Sequence, residues 1–225
     1  MNFLKKTVAV LLGTCMLFAM ASCSKIEQNY KKAGAEWAID AYKMLPAEFN
    51  EDTCNQFWVG GDVYEFPMKA EEFFDNGWEI IDIYQEEVNA DYLLDPESVY
   101  ELGLKKNLGP TALTMIFNSS DEPKAVSECM VIYVAFMWND EVLLPGGALL
   151  STKYKTLDEA MAAFNDDMTE FDAENNIYGY EFEAEDWEFT CSVRLSFEEA
   201  PNGIKVRAVK FYAVDADLLE QNKIF

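Results

Sequence analysis

Forty-one carboxylates, five cysteines and no histidine define the chemistry open to this 225-residue chain. Without imidazole there is no Ser-His-Asp or Cys-His nucleophile system, no His-ligated metal and no histidine pH switch. Carboxylates can still hold calcium, which needs several oxygens converging on a bent loop. They crowd two stretches: Glu86, Glu87, Asp91, Asp95 and Glu97, and then Asp166, Asp167, Glu170, Asp172 and Glu174. Neither follows the D-x-[DN]-x-[DN]-G spacing with a distal Glu, and neither has glycine where the sharp turn is required. Both therefore read as solvated acidic loops, with calcium the weaker reading. A carboxylate-based hydrolase needs only two acids about 5–9 Å apart across a cleft. With 41 acids such a pair arises by chance, so no catalytic residue is assigned. Gly60-Gly61 and Gly146-Gly147 lack the downstream Lys and Ser/Thr of a phosphate loop and read as turns. No motif calls for a cofactor or a metal.

The cysteines divide by position. Lys5 and Lys6 precede an uncharged, largely apolar run, Thr7 to Ala19, and small residues lead to Cys23. That layout is a secretory signal, with an apolar stretch shorter than the ~20 residues needed to span a bilayer. The run Met20-Ala21-Ser22-Cys23 resembles the lipobox of bacterial lipoproteins, with Met20 where Leu is usual. The resemblance implies that Cys23 is acylated, by palmitate among other chains, and becomes the new N-terminus. The mature protein would then be anchored to the cell membrane on its extracytoplasmic side. Cys15 leaves with the signal, and Cys54, Cys129 and Cys191 remain. Outside the cytoplasm a disulfide is allowed. Two readings stand: a Cys54–Cys129 bridge around the first folded half, worth ~4 kcal/mol by chain entropy, or three small buried thiols.

Removing residues 1–22 takes two of the 17 basic residues and none of the 41 acidic ones, leaving a net charge of −26. Such a surface is repelled by nucleic acid, anionic lipid and anionic wall polymers. Nucleic acid is excluded as a partner; a cationic partner, divalent cations or plain solubility remain. With 50% hydrophobic and 14% aromatic residues, the chain can bury a substantial core.

These residues must be positioned by short elements. Ala35 to Leu45 has helical apolar spacing and ends at Pro46, so residues 23–55 form a lipidated tether with a helix. That helix either packs on the body or holds it off the membrane. A first module spans 56–140. A hairpin turns at Gly60-Gly61-Asp62, a helix opens at Pro67, and strands follow from Trp78, Tyr100, Ala112 and Cys129. Met130 to Met137 is apolar on both faces and reads as a central strand. A second module spans 141–225, with a Thr156…Glu159 capping box and strands at 178–185, 187–197 and 204–214. The expectation is α+β: two small modules, each a short helix on an antiparallel meander.

The segments Tyr64-Glu65-Phe66-Pro67-Met68, Phe73, Asn76-Gly77-Trp78, 114–120 and 128–131 carry a second resemblance. In the second module Leu144-Pro145-Gly146-Gly147, the 156–164 helix and Tyr178-Gly179-Tyr180-Glu181 extend it. Over residues 56–214 the chain is similar to uncharacterised bacterial lipoproteins with tandem modules of the beta-lactamase-inhibitor-protein type. It departs from them at Lys153-Tyr154-Lys155, where a short glycine-containing lead-in is usual. The resemblance implies protein binding or a structural role rather than a reaction. Tyr92, Tyr154, Tyr178 and Trp187, with Tyr100 and Trp138, fall near loops or strand ends and are the candidate contact residues. The reading is a non-catalytic module that binds another envelope protein, with a small-ligand or divalent-cation binder as alternative.

Replacing Cys23 by alanine removes the only acyl acceptor of the lipobox. The C23A protein is expected in the soluble extracytoplasmic fraction, and mass spectrometry of the wild-type N-terminus should show the acyl chains. An unacylated wild-type N-terminus would overturn the lipoprotein reading.

Overall fold

A computed structural model describes residues 27–28, 30–31, 35–46, 49–50, 52–81, 88–107, 109–137, 140–150, 153–164, 168–184, 187, 189–201 and 203–214. Cys23, Trp138, the pair Glu86-Glu87 and the pair Asp166-Asp167 lie outside these residues. Antiparallel sheet dominates: 47% strand against 17% helix, a β-rich form of α+β.

The elements follow a repeated order. A hairpin, β1 (Gln56–Val59) and β2 (Asp62–Glu65), leads to a two-residue strand β3 (Met68–Lys69) and helix α2 (Glu71–Asp75). A meander follows: β4 (Glu79–Ile81), β6 (Val99–Lys105), β7 (Thr111–Phe117) and β9 (Met130–Met137), with the small pair β5 (Leu93–Leu94) and β8 (Lys124–Ala125) beside it. The order then recurs. The strands β10 (Val142–Leu144) and β11 (Ala148–Leu149) precede β12 (Lys153–Tyr154) and helix α3 (Leu157–Phe164). A second meander is made by β13 (Thr169–Asp172), β14 (Ile177–Phe182), β15 (Cys191–Ala200) and β16 (Gly203–Tyr212).

The two meanders join into one sheet of order β13-β14-β15-β16-β9-β7-β6-β4. Their last strands meet at its centre, with Val209 opposite Phe136 and Phe211 opposite Val134. The short strands occupy matching places, β3 on β9 and β12 on β16. The hairpins repeat the arrangement in a four-stranded sheet, β11-β10-β1-β2, again joined at the middle, by β1 and β10.

Side-chain alternation stacks these layers. Phe57 and Tyr64 of the small sheet lie on the inner face of the large one, where Phe57 meets Phe136 at 5.3 Å and Phe211 at 4.7 Å. Helix α2 adds Phe73, 5.1 Å from Tyr64 and 5.0 Å from Trp78. The buried Trp78 Nε1 donates to Tyr64 Oη at 2.9 Å, and burial pushes the Tyr64 phenol pKa up. Helix α3 seats Phe164 between Phe49 and Phe197. On the other side of the small sheet lies helix α1 (Trp37–Tyr42), whose Trp37 stacks on Trp58 at 4.9 Å. The N-terminal helix thus packs on the body, which decides between the two readings of the tether.

Several boundaries differ from expectation for physical reasons. Pro67 does not open the helix, because Met68 and Lys69 pair with Val131 and Met130 of β9 first. Trp187 and Phe189 precede β15 rather than sitting in it. The Thr156 half of the capping box forms, Glu159 N–H donating to Thr156 Oγ1 at 3.2 Å, while the Glu159 carboxylate reaches one residue further back and accepts from Lys155 N–H at 2.9 Å.

The Cys54–Cys129 bridge is not made; Cys54, Cys129 and Cys191 are buried thiols. Cys129 Sγ instead donates to Ala125 O, 3.2 Å away within its own 3₁₀ turn. Burial raises the Cys129 thiol pKa and pushes that of Cys191 up to about 12.

Two measurements check this architecture. A Cβ on Gly179 would fall 1.8 Å from Val193 O on the neighbouring strand, so Gly179→Ala must prise β14 from β15. The variant is expected to lose at least about 2 kcal/mol in urea unfolding. At pH 8 a thiol with a pKa near 12 is thiolate at a fraction on the order of 10⁻⁴. Cys191 should therefore resist iodoacetamide in the native protein and react once urea unfolds it.

Candidate functional site

The expected contact aromatics do not form one surface. Tyr154 is buried on β12, its ring 6.5 Å from Phe164, so it belongs to the core and not to a binding face. Its backbone pairing to Ile204 of β16 is what draws it inward. Tyr178 is half-buried on β14, 6.2 Å from Phe197. Trp187 is also half-buried; its Nε1 donates to Ala213 O at 2.5 Å and its ring lies 6.0 Å from Phe189, itself 50% exposed. Tyr92 is 39% exposed and packs on Tyr100 of β6 at 6.0 Å. Strands β6 and β14 are separated by five strand spacings, about 24 Å. Tyr92 and Tyr178 are therefore on opposite flanks of the large sheet.

Four exposed apolar side chains belong to the β4–β6 end of the fold, Tyr92 and Leu93 at β5, Val99 on β6 and Ile81 on β4. Leu93, Val99, Tyr92 and Ile81 are four of the seven exposed large hydrophobics among the described residues, Leu93 at 61% the most exposed. Val99 begins β6, and Ile81 sits on the edge strand β4 opposite Gly103, on the same face of the sheet as Val99. Buried Asn118 holds this region in shape. Its Nδ2 donates to Leu94 O and Asp95 O, both at 3.1 Å, and to Glu122 O at 2.9 Å. Its backbone N–H donates to Ser98 O at 3.0 Å, and Ser120 Oγ donates to its Oδ1 at 2.7 Å. The Asn118 side chain thus ties the end of β5 to the turn at Ser120 to Glu122, and its backbone reaches the residue before β6. These bonds fix the backbone of the turns that flank β5. Periodicity could not find Asn118, because one amide among turn residues looks like any other.

A cleft of about 420 Å³ lies elsewhere, between the end of β2 and the end of β14. Asp52, Glu65, Glu181 and Glu183 line it together with Asn55, Phe66, Pro67, Phe182 and Ala184. Its volume matches small-ligand sites, whose walls are mostly apolar; this wall bears four carboxylates. Among the described residues no group of three Asp, Glu or Cys is placed to hold a metal ion. The cleft suits a cationic organic group better than a chelated ion.

Within the second acidic stretch, Asp172 has a turn-forming role. Asp172 Oδ1 accepts from the backbone N–H of Glu174 at 3.0 Å and of Asn175 at 3.1 Å, and its Oδ2 accepts from Asn175 Nδ2 at 2.6 Å. The Asn175 side chain above all lowers the carboxyl pKa of Asp172. Asp140 joins β9 to β10: Oδ2 accepts from Met137 N–H at 2.9 Å and Oδ1 from Thr111 N–H at 3.4 Å. Burial raises its pKa against those two donors.

The outer face of the large sheet, turned away from the hairpin sheet, carries a paired cation row. Arg194 faces Lys210 across β15 and β16, and Lys210 faces Ala135 of β9. The Arg194 guanidinium lies 4.3 Å over the Phe171 ring and 5.3 Å from that of Tyr212. These stacking contacts anchor an arginine that is only 8% exposed, so it is part of the sheet's packing. Among the described residues no helix is long and apolar enough to cross a membrane. Comparison of the chain with protein-family models, curated proteins and solved structures finds no match.

Proposed function

We propose that this chain is a lipid-anchored, extracytoplasmic, non-catalytic protein-binding protein built from two tandem α+β modules. The observation that carries the binding role is the set of exposed apolar side chains at the β4–β6 end of the fold, Tyr92 and Leu93 at β5, Val99 on β6 and Ile81 on β4. Large apolar side chains left in solvent on a strongly acidic chain are what a partner surface would cover. The tandem-module reading is supported by the repeated order of hairpin, short strand, helix and four-stranded meander. The anchor rests on Cys23 and its signal-like leader. The acid-lined cleft supports a second reading, accessory binding of a small cationic ligand.

The test is in-cell crosslinking of the lipidated protein, with mass spectrometry of what co-purifies. A single reproducible envelope protein is expected. The double substitution Leu93→Asp and Val99→Asp should lower its recovery at least about tenfold, since hot-spot losses reach 2 kcal/mol or more. The thermal midpoint should stay near wild type, because both side chains are exposed. Recovery of the wild-type protein alone would overturn these side chains as a stable docking site and shift the reading to the cleft.

A further inference from the structure

The segment that would carry the anchor is built into the folded body. Tyr30 is 5% exposed, its hydroxyl donates to Gly147 O, and its carbonyl accepts from Ala35 N–H at 2.9 Å. Ala38, Ala41, Tyr42 and Leu45 are buried with Leu143 and Leu149 of the small sheet. Gly146 N–H donates to Pro46 O at 3.1 Å and closes the segment at its far end. Seven peptide steps separate Cys23 from Tyr30. At 3.3–3.6 Å each they reach at most about 25 Å in any conformation. A folded chain of about 200 residues has a radius of gyration of about 16 Å, and so a diameter exceeding that reach.

Charge favours the same side. Residues 24–46 hold four lysines against three acids, whereas the chain beyond carries 11 basic and 38 acidic residues. Lys31 and Lys43 are exposed there, and Met44 next to Lys43 is 56% exposed. An anionic bilayer repels the acidic remainder and tolerates this segment best.

We infer that the α1 side of the protein rests on the lipid surface, so that the outer face of the large sheet points away from the membrane. The inference rests on the proposed acylation of Cys23. The small sheet separates α1 from the large sheet, so the outer face, into which Arg194 is packed, lies on the side away from α1. The body does not hang from a free stalk; it is held by a leash shorter than itself.

The test uses full-length acylated protein in vesicles of 70% phosphatidylcholine and 30% phosphatidylglycerol, part of the lipid carrying a headgroup nitroxide. Separate variants Lys43→Cys and Thr169→Cys carry an environment-sensitive fluorophore; both positions are exposed, one beside α1 and one on the far sheet. The label at position 43 is expected to be quenched severalfold more than that at position 169. Inserting a 20-residue Gly/Ser linker after Ser24 should leave the protein bound and abolish the difference. Equal or reversed quenching in acylated, bound protein overturns the inference alone. A wild-type N-terminus without acyl chains, and no vesicle binding, overturns both the anchor and the orientation that rests on it.

Discussion

The pairing of β9 with β16 is the contact on which the rest of the structure depends. It joins the last strand of each meander in antiparallel register from Tyr133–Tyr212 to Met137–Ala208. Without it the chain would be two four-stranded sheets, each with a long apolar edge. Val131 through Phe136 are buried along β9, and Val206, Val209, Phe211 and Tyr212 along β16. Exposed edges of that kind are aggregation sites, and mutual pairing removes both. What remains at the ends of the sheet are the short strands β4 and β13, of three and four residues.

The central pairing also sets where the other layers sit. The inner faces of β9 and β16 bring Phe136 and Phe211 together, and Phe57 of the hairpin sheet fills the hollow between them. The hairpins meet through β1 and β10 directly beneath, so their opposite face, with Trp58, Leu143 and Leu149, is turned outward. That face is apolar and requires a cover, and the N-terminal segment supplies it with Trp37, Ala38, Ala41 and Tyr42. The position of the N-terminal segment is therefore a consequence of the sheet pairing. The N-terminal segment, the hairpin sheet and the large sheet are packed as a stack of three layers.

Charge and shape divide the surface by role. With a net charge of −24, long-range electrostatics disfavour approach to anionic polymers and surfaces. The exposed apolar side chains and the acid-lined cleft are the surface features that act at short range. The backbone beside Leu93 is held by Asn118, whose Nδ2 donates to three carbonyls while its Oδ1 accepts from the N–H and hydroxyl of Ser120. A buried amide satisfied in this way fixes loop geometry at little net cost. The aromatics Tyr178 and Trp187 lean on the core through Phe197 and Ala213.

Local chemistry was legible in the sequence wherever neighbours along the chain sufficed. The α1 helix, the Gly60-Gly61 hairpin, the Thr156 cap and the doubly apolar strand Met130–Met137 each depend on residues within a few positions. The absence of histidine and the excess of carboxylates bounded the chemistry in the same direct way. Two-residue strands such as β3 and β12 have no periodicity to read, because they exist only as partners of β9 and β16. For that reason Pro67 was misread as a helix start and Tyr154 as a surface aromatic. The Cys54–Cys129 pairing failed likewise, since spacing along the chain says nothing about which carbonyl a sulfur reaches. Residue type and short-range pattern thus determined the charge, the capped helix and the central strand. Long-range pairing alone decided which aromatics were buried, how the two meanders joined and which side of the body the N-terminal segment covers.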